Sequence, residues 1–168
     1  MTTLELVWRE GSPVDLPITQ IYGFCLDADG RALVIHDRMK FCLPGGTPEP
    51  GETEQETLAR EVLEEANTTI EFIRTVGYQL VLNDDLRSGR PYAQLRVLAR
   101  IRAIGPRRPD PATGRIYGRA LCPLPELNHL LRWGEPGEQQ IAAALAAARA
   151  TGASNNRATL EYLDRVAK

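Results

Sequence analysis

The residues with the most chemical potential lie together in GGTPEPGETEQETLAREVLEEANTT, residues 45–69: Gly46, Glu52, Arg60, Glu61, Glu64 and Glu65. Thr53 with Glu56 three positions later forms a capping box, which predicts a helix starting near residue 54. Asn67 suits the left-handed residue that ends it. At about 100° per residue, with Glu61 at zero, Glu65 falls about 40° to one side; Thr57 at about 40° and Glu64 at about 60° fall to the other. Leu58, Ala59, Val62, Leu63 and Ala66 turn away from this arc toward a core, and Arg60 flanks it. Like charges one turn apart cost a few tenths of a kcal/mol per pair on an exposed helix. A solvated face would more naturally alternate Glu with Lys, yet no lysine stands between Lys40 and Lys168. A divalent cation among the carboxylates relieves the repulsion, and their oxygens suit hard ions such as magnesium, manganese or calcium. Gly45 and Gly46 let backbone approach a ligand and let a carbonyl join the coordination.

Gly46, five residues, Glu52, seven residues, then Arg60-Glu61-Val62-Leu63-Glu64-Glu65 resembles the Nudix box. FCLPGG, with Phe41 where the family often has Trp, is similar to its usual approach. Asn67 in place of the closing Gly and Thr68 in place of the final aliphatic residue depart from the pattern. The resemblance implies an α+β fold, an α/β/α sandwich around a mixed β-sheet, over roughly residues 4–150. It implies hydrolysis of a nucleoside diphosphate linked to another group, with Mg2+ or Mn2+ held by Glu61, Glu64 and Glu65 and joined by the Gly46 carbonyl. Glu64 and Glu65 are the firmest ligands by this pattern, and Glu61 is a ligand or the base that orients water. Glu52 and Arg60 hold each other and the loop–helix geometry, as a structural ion pair or with a catalytic role. Asp84, Asp85 and Glu126 are candidates for a further acid beyond the box; each also suits an ordinary loop position. Arg38, Lys40, Arg107 and Arg108 either grip phosphates or are plain surface charges. Tyr22, Phe24, Tyr78 and Tyr92 either stack a base or belong to the core.

Hairpin-connected strands and a few helices must position these groups. LELVW, ITQIYGFCLD and RALVIHD read as strands, the last two joined by a DADG turn. Thr69 to Leu82 reads as a strand bent or bulged at Gly77. Tyr92 to Ile104 alternates, with Leu95, Val97, Ala99, Ile101 and Ala103 inward and Arg96, Arg100 and Arg102 outward. A helix stops at Gly152, and a shorter amphipathic tail follows with an apolar stripe of Leu160, Leu163 and Val166. The expected division is a domain over 1–152 and a C-terminal helix over 153–168. That helix is too small to stand alone, so it docks on the domain or on a second copy, making a homodimer possible.

The 168 residues suffice for one domain, and the net charge of −2 gives no footprint for nucleic acid. No apolar run is long enough to span a membrane, and the scattered Cys25, Cys42 and Cys122 suit a reducing interior. A cytoplasmic enzyme with a small nucleotide substrate is the expectation. In the family that the box resembles, the ADP-ribose subgroup tends to carry a Pro about fifteen residues after the box; residues 79–90 have none, so the resemblance tilts the choice toward a nucleoside triphosphate and away from ADP-ribose-like substrates. Two other classes stay open: a non-catalytic nucleotide-sensing or interaction domain, and an isoprenoid diphosphate isomerase on the same fold.

Overall fold

The computed structural model describes residues 4–38, 40–83, 89–152 and 158–164. Asp84, Asp85 and Val166, named above as candidates, lie outside the described residues. Along the chain the strands are β1 (Leu4–Glu10), β2 (Ile18–Leu26), β3 (Arg31–Asp37), β4 (Lys40–Cys42) and β5 (Gly45–Gly46). Helix α1 (Glu54–Ala66) is followed by β6 (Thr68–Asn83), β7 (Tyr92–Ile104) and β8 (Gly118–Pro123). A 3-10 turn at Leu124–Glu126 leads into α2 (Leu127–Leu131), α3 (Gly134–Ala150) and β9 (Glu161–Tyr162). The main sheet path runs β1-β6-β7-β2-β3-β8-β9, with β4 on β3 and β5 on β2. The sheet is mixed, since β2 and β7 pair in parallel while the other pairs are antiparallel.

Helices cover both faces of this sheet. On one, Leu58, Val62 and Ala66 of α1 pack on Ile21, Leu33, Leu95 and Val97. On the other, Ile141, Ala144, Ala147 and Ala148 of α3 pack with Leu127 on Phe24, Val34 and Leu98. This is the expected α/β/α sandwich. The register of β6 against β7 shifts between Thr75 and Gly77, where the sequence predicts a bulge. A Cβ at Gly77 would run into the Trp8 ring and the Arg9 carbonyl on β1, so the edge strand can close here only over glycine. No helix among the described residues is long and apolar enough to cross a membrane.

Two expectations fail. Strand β7 is not half-buried throughout. Its centre lies between two helical layers, so Leu98 is fully buried on the face assigned to solvent and Arg96 is only 3% exposed. That face is part-exposed at Tyr92 and Gln94 and exposed toward its end, at Arg100 and Arg102, where both arginines meet Glu71.

The tail does not form a helix where it is described. Glu161 and Tyr162 pair with Leu121 and Ala120 on the open edge of β8. An isolated helix of this length is marginal, whereas edge pairing satisfies backbone groups on both strands. Leu160 packs on one core and Leu163 on the other, so these two of the three apolar residues that suggested a second copy find partners within the chain.

Asp164 then clamps the tail to Arg119, at 3.0 Å for both oxygens. Arg119 is nearly buried and also donates to the Ala66 and Gly105 carbonyls, at 2.7 and 2.8 Å. One guanidinium thus joins the tail to the end of α1 and the end of β7. Burial would raise the Asp164 carboxyl, but the hydrogen bond and charge of Arg119 hold it below its ordinary range. A lowered acid stabilises the fold above its unfolded pKa of about 3.9, and the gain fades as pH falls through the folded value. Asp164→Asn should therefore lose roughly 2 kcal/mol in denaturant melts at pH 7, less than a fully buried pair because Arg119 keeps two carbonyl acceptors. The difference from the parent should shrink below pH 4 or so.

Candidate functional site

Helix α1 begins as its sequence requires. The Glu56 N–H donates to the Thr53 hydroxyl at 3.2 Å, and the Thr53 N–H donates back to the Glu56 carboxylate at 2.8 Å. It ends at Asn67, left-handed at φ 46° and ψ 46°, whose N–H donates to the Leu63 carbonyl. Asparagine here does more than tolerate the turn. Its side-chain NH2 donates to the Pro106 carbonyl at 2.9 Å, and its own carbonyl accepts from the Gly105 N–H at 2.8 Å. The departure from the usual glycine fastens the helix to the loop that follows β7.

Arg60 organises the face. Its guanidinium holds Glu52 through two bonds of 2.7 and 3.0 Å, reaches Glu61 at 2.9 Å and Glu64 at 3.3 Å, and donates to the Thr47 carbonyl at 3.1 Å. Glu52 also accepts from the Thr57 hydroxyl at 2.9 Å and the Glu49 N–H at 2.9 Å. The Arg60 hydrogen bond, with these donors, pulls the Glu52 carboxyl down to about 2. Thr57, which the helical wheel placed among the acids, is fully buried and supports Glu52. Ala59 and Leu63, expected inward, are exposed, so the buried arc is rotated toward the acids relative to the expectation.

Glu65 lies deeper. It accepts from the Gly45 N–H at 3.2 Å, and no cationic side chain among the described residues pairs with it. Burial lifts its carboxyl to about 8; the Gly45 bond opposes this, and the charges of Glu61, Asp110 and Glu64 add to it. Burial likewise raises Glu61, against the pull of Arg60. Gly46 is pressed against the Glu61 carboxylate so closely that a Cβ there would collide with it. Strand β5 therefore delivers the Gly45 N–H to Glu65 and brings the Gly46 backbone to Glu61.

Glu52, Glu61 and Glu64 thus share a single guanidinium while Glu65 has none, and the donors of all four are hard carboxylate oxygens. This donor chemistry fits magnesium or manganese. Among the described residues no three acidic, histidine or cysteine side chains already converge in a metal-binding arrangement. Arg60 holds one oxygen each of Glu61 and Glu64, so for both oxygens of either to face a cation that carboxylate would have to turn away from it.

The other candidates disperse. Glu126 is exposed beside Cys122, away from the α1 layer. Arg107 is used by the Tyr117 carbonyl at 2.8 Å, Arg38 sits in a left-handed turn, and Arg108 is exposed. Lys40 and Tyr22 line a cavity of about 390 Å³ beside β2, while Phe24 is core and Tyr78 packs beneath α1. The acid that sequence reasoning missed is Asp110, only 5% exposed and near enough that its charge raises both Glu61 and Glu65. Its Oδ1 accepts from the Ala112 and Thr113 N–H groups at 2.7 and 3.2 Å. In sequence it looks like one more loop aspartate between two prolines.

The family model described as NUDIX domain matches residues 18–145. Among solved structures the chain is similar to a NUDIX hydrolase from Nitrosomonas europaea, at 21% identity and a TM-score of 0.60, covering 78% of this chain and 90% of that one. It is similar to an ADP-ribose pyrophosphatase from Streptococcus suis, at 20% identity and a TM-score of 0.56, covering 79% and 92%. A UDP-X diphosphatase matches at 13% identity and a TM-score of 0.58, covering 81% of this chain and 66% of that one. A comparison with curated proteins gave no match.

The contact between Gly46 and Glu61 gives a local test. Gly46→Ala should push the Glu61 carboxylate or β5 aside and lower activity about 100-fold, the scale of a displacement of about 1 Å in a reacting geometry. Circular dichroism should show the fold unchanged.

Proposed function

Since the chain belongs to the Nudix hydrolase family, whose members act on pyrophosphate bonds of nucleoside diphosphate derivatives, we propose that it is a Mg2+- or Mn2+-dependent nucleotide pyrophosphohydrolase. Its metal ligands on this reading are Glu61, Glu64, Glu65 and the Gly46 carbonyl. The observation that carries it is the single acidic face of α1, backed by β5 and answered by one guanidinium. A cation there supplies neutralisation of diphosphate charge and a lowered proton affinity of water.

The chain's own groups do the positioning. Arg60 and Glu52 lock the loop to the helix, so that Gly46 and the carboxylates keep their spacing. Glu65, fixed by the Gly45 N–H, is held in one orientation. Glu61 lies against Gly46 and serves as a ligand or as the acceptor of the attacking water's proton. Asp110 is the further acid on this face, its Oδ1 held by two backbone N–H groups. For the substrate, a nucleoside triphosphate is preferred over ADP-ribose-like molecules, because residues 79–90 lack the proline that the family's ADP-ribose subgroup tends to carry after the box.

The two alternatives lose support. A sensor has no need for the full set of box acids, all of which are present. The isomerase reading needs a reactive thiol; burial pushes Cys25 up to about 12 and Cys122 up to about 11, and it raises Cys42 as well.

Two outcomes test the reading. In an assay panel of nucleoside triphosphates and ADP-ribose with Mg2+, the triphosphates should release pyrophosphate or phosphate, and EDTA should stop it. Equal turnover in EDTA contradicts the metal requirement. Glu64→Gln and Glu65→Gln should each lose about 100-fold or more in kcat. Their metal-free stability should hold or rise by a few tenths of a kcal/mol, since one repelling charge is gone. Both should gain less melting temperature from added Mg2+ than the parent. Glu56→Gln, which can keep the capping box, should retain activity.

A further inference from the structure

The cavity beside β2 holds a group that neither the box nor the core explains. Arg96 is 3% exposed and meets no carboxylate among the described residues. Its guanidinium lies 5.0 Å from the Tyr22 ring and 5.2 Å from the Trp133 ring. It donates to the Gln140 side-chain oxygen at 2.9 Å, the Gln79 side-chain oxygen at 3.1 Å, and the Gln94 and Leu95 carbonyls at 3.3 Å each. Burial lowers it only to about 10, so it stays charged near neutrality.

A guanidinium has donors and no acceptor. Both glutamines must therefore turn their carbonyl oxygens to Arg96, which leaves their NH2 groups as what they offer elsewhere. Gln79 and Gln140 both line the cavity of about 390 Å³, a volume suited to a small organic ligand. Gln140 is 1% exposed, and its NH2 meets no protein acceptor among the described residues. That NH2 is open to the cavity rather than sealed from it, so a ligand that brings an acceptor can meet it there. The Tyr22 and Trp133 rings and Phe41 add flat apolar surface to the same space.

This cavity and the acidic face share a wall. Tyr22 pairs with Gly45 across β2 and β5, and the Gly45 N–H donates to Glu65. Burial raises the Tyr22 hydroxyl, and the charges of Glu65 and Glu61 reach it and add to this, so a diphosphate on the acidic face would bring its organic end toward Tyr22.

We propose that this cavity seats the substrate's nucleobase and that Gln79 and Gln140, oriented by Arg96, select a base with a carbonyl on the edge it presents, a 4-oxopyrimidine or a 6-oxopurine. Bases with an exocyclic amino group there, cytosine and adenine, would set donor against donor. Arg96 acts as a positioning residue, fixing which end of each amide faces the base. The proposal rests on the acidic face being where the diphosphate lies, and it is tested separately from hydrolysis.

Calorimetric titration of the metal-free protein with UMP, CMP, IMP and AMP, none of which contains an anhydride, reads the cavity alone. UMP should bind about tenfold or more tightly than CMP, and IMP than AMP. In turnover, kcat/KM should rank UTP over CTP and ITP over ATP by a similar ratio, with the difference mainly in KM. Gln140→Glu presents a second oxygen where the NH2 stood and should shrink or invert both ratios; Gln79→Glu is the independent second variant. Hydrolysis without base preference would overturn the cavity reading and leave the hydrolase reading intact. Selective binding of UMP and IMP without triphosphate hydrolysis would do the reverse. Tighter binding of CMP and AMP by the parent protein, or ratios unmoved in both folded variants, overturns the proposal.

Discussion

The site depends on one guanidinium being outnumbered. Arg60 is the cation for Glu52, Glu61 and Glu64 together, and it also holds the Thr47 carbonyl. Its attachment to Glu52 fixes the loop against α1, and so fixes where β5 lies. Its attachment to Glu61 and Glu64 tempers a repulsion that four carboxylates would otherwise impose on the helix. It cannot satisfy them all, and Glu65 is left to a single backbone N–H. That residual imbalance makes the face a place for further positive charge.

The same economy of position governs the sheet. β2 and β7 are buried on both faces because helices lie above and below them, and this gives one strand pair two jobs. Toward α1 their side chains form the support for the acidic helix; toward α3 they build the wall with Tyr22 and Arg96. The parallel pairing of β2 with β7 keeps these two surfaces in register. Any shift by one residue would exchange the faces.

Much of this was readable in the chain. Thr53, Glu56 and Asn67 marked the ends of α1, and the spacing of Glu61, Glu64 and Glu65 placed them on one face, because caps and helical period are local properties. Tyr92–Ile104 was found as a strand to the residue. Apart from the rotation of the buried arc of α1, the misses are non-local. Arg96 reads as an outward arginine until α3 covers it. Asp110 reads as a loop residue until its loop folds back on α1. Leu160 and Leu163 keep a helical spacing, yet the open edge of β8 decides their conformation through backbone pairing that side-chain pattern does not encode. The Asn67 departure from the box reads as a tolerated cap, and only its bond to Pro106 shows that it ties two segments together.

On this reading a divalent cation completes the face that Arg60 only partly neutralises. The most direct measurement is a crystal structure of the protein with Mn2+, using the anomalous signal to locate the ion. The expected result is a peak bounded by the carboxylates of Glu61, Glu64 and Glu65 and the Gly46 carbonyl, with the Arg60 guanidinium withdrawn from Glu61 and Glu64 but still on Glu52. A fully occupied Mn2+ site elsewhere, with Arg60 still bridging Glu61 and Glu64, would contradict it.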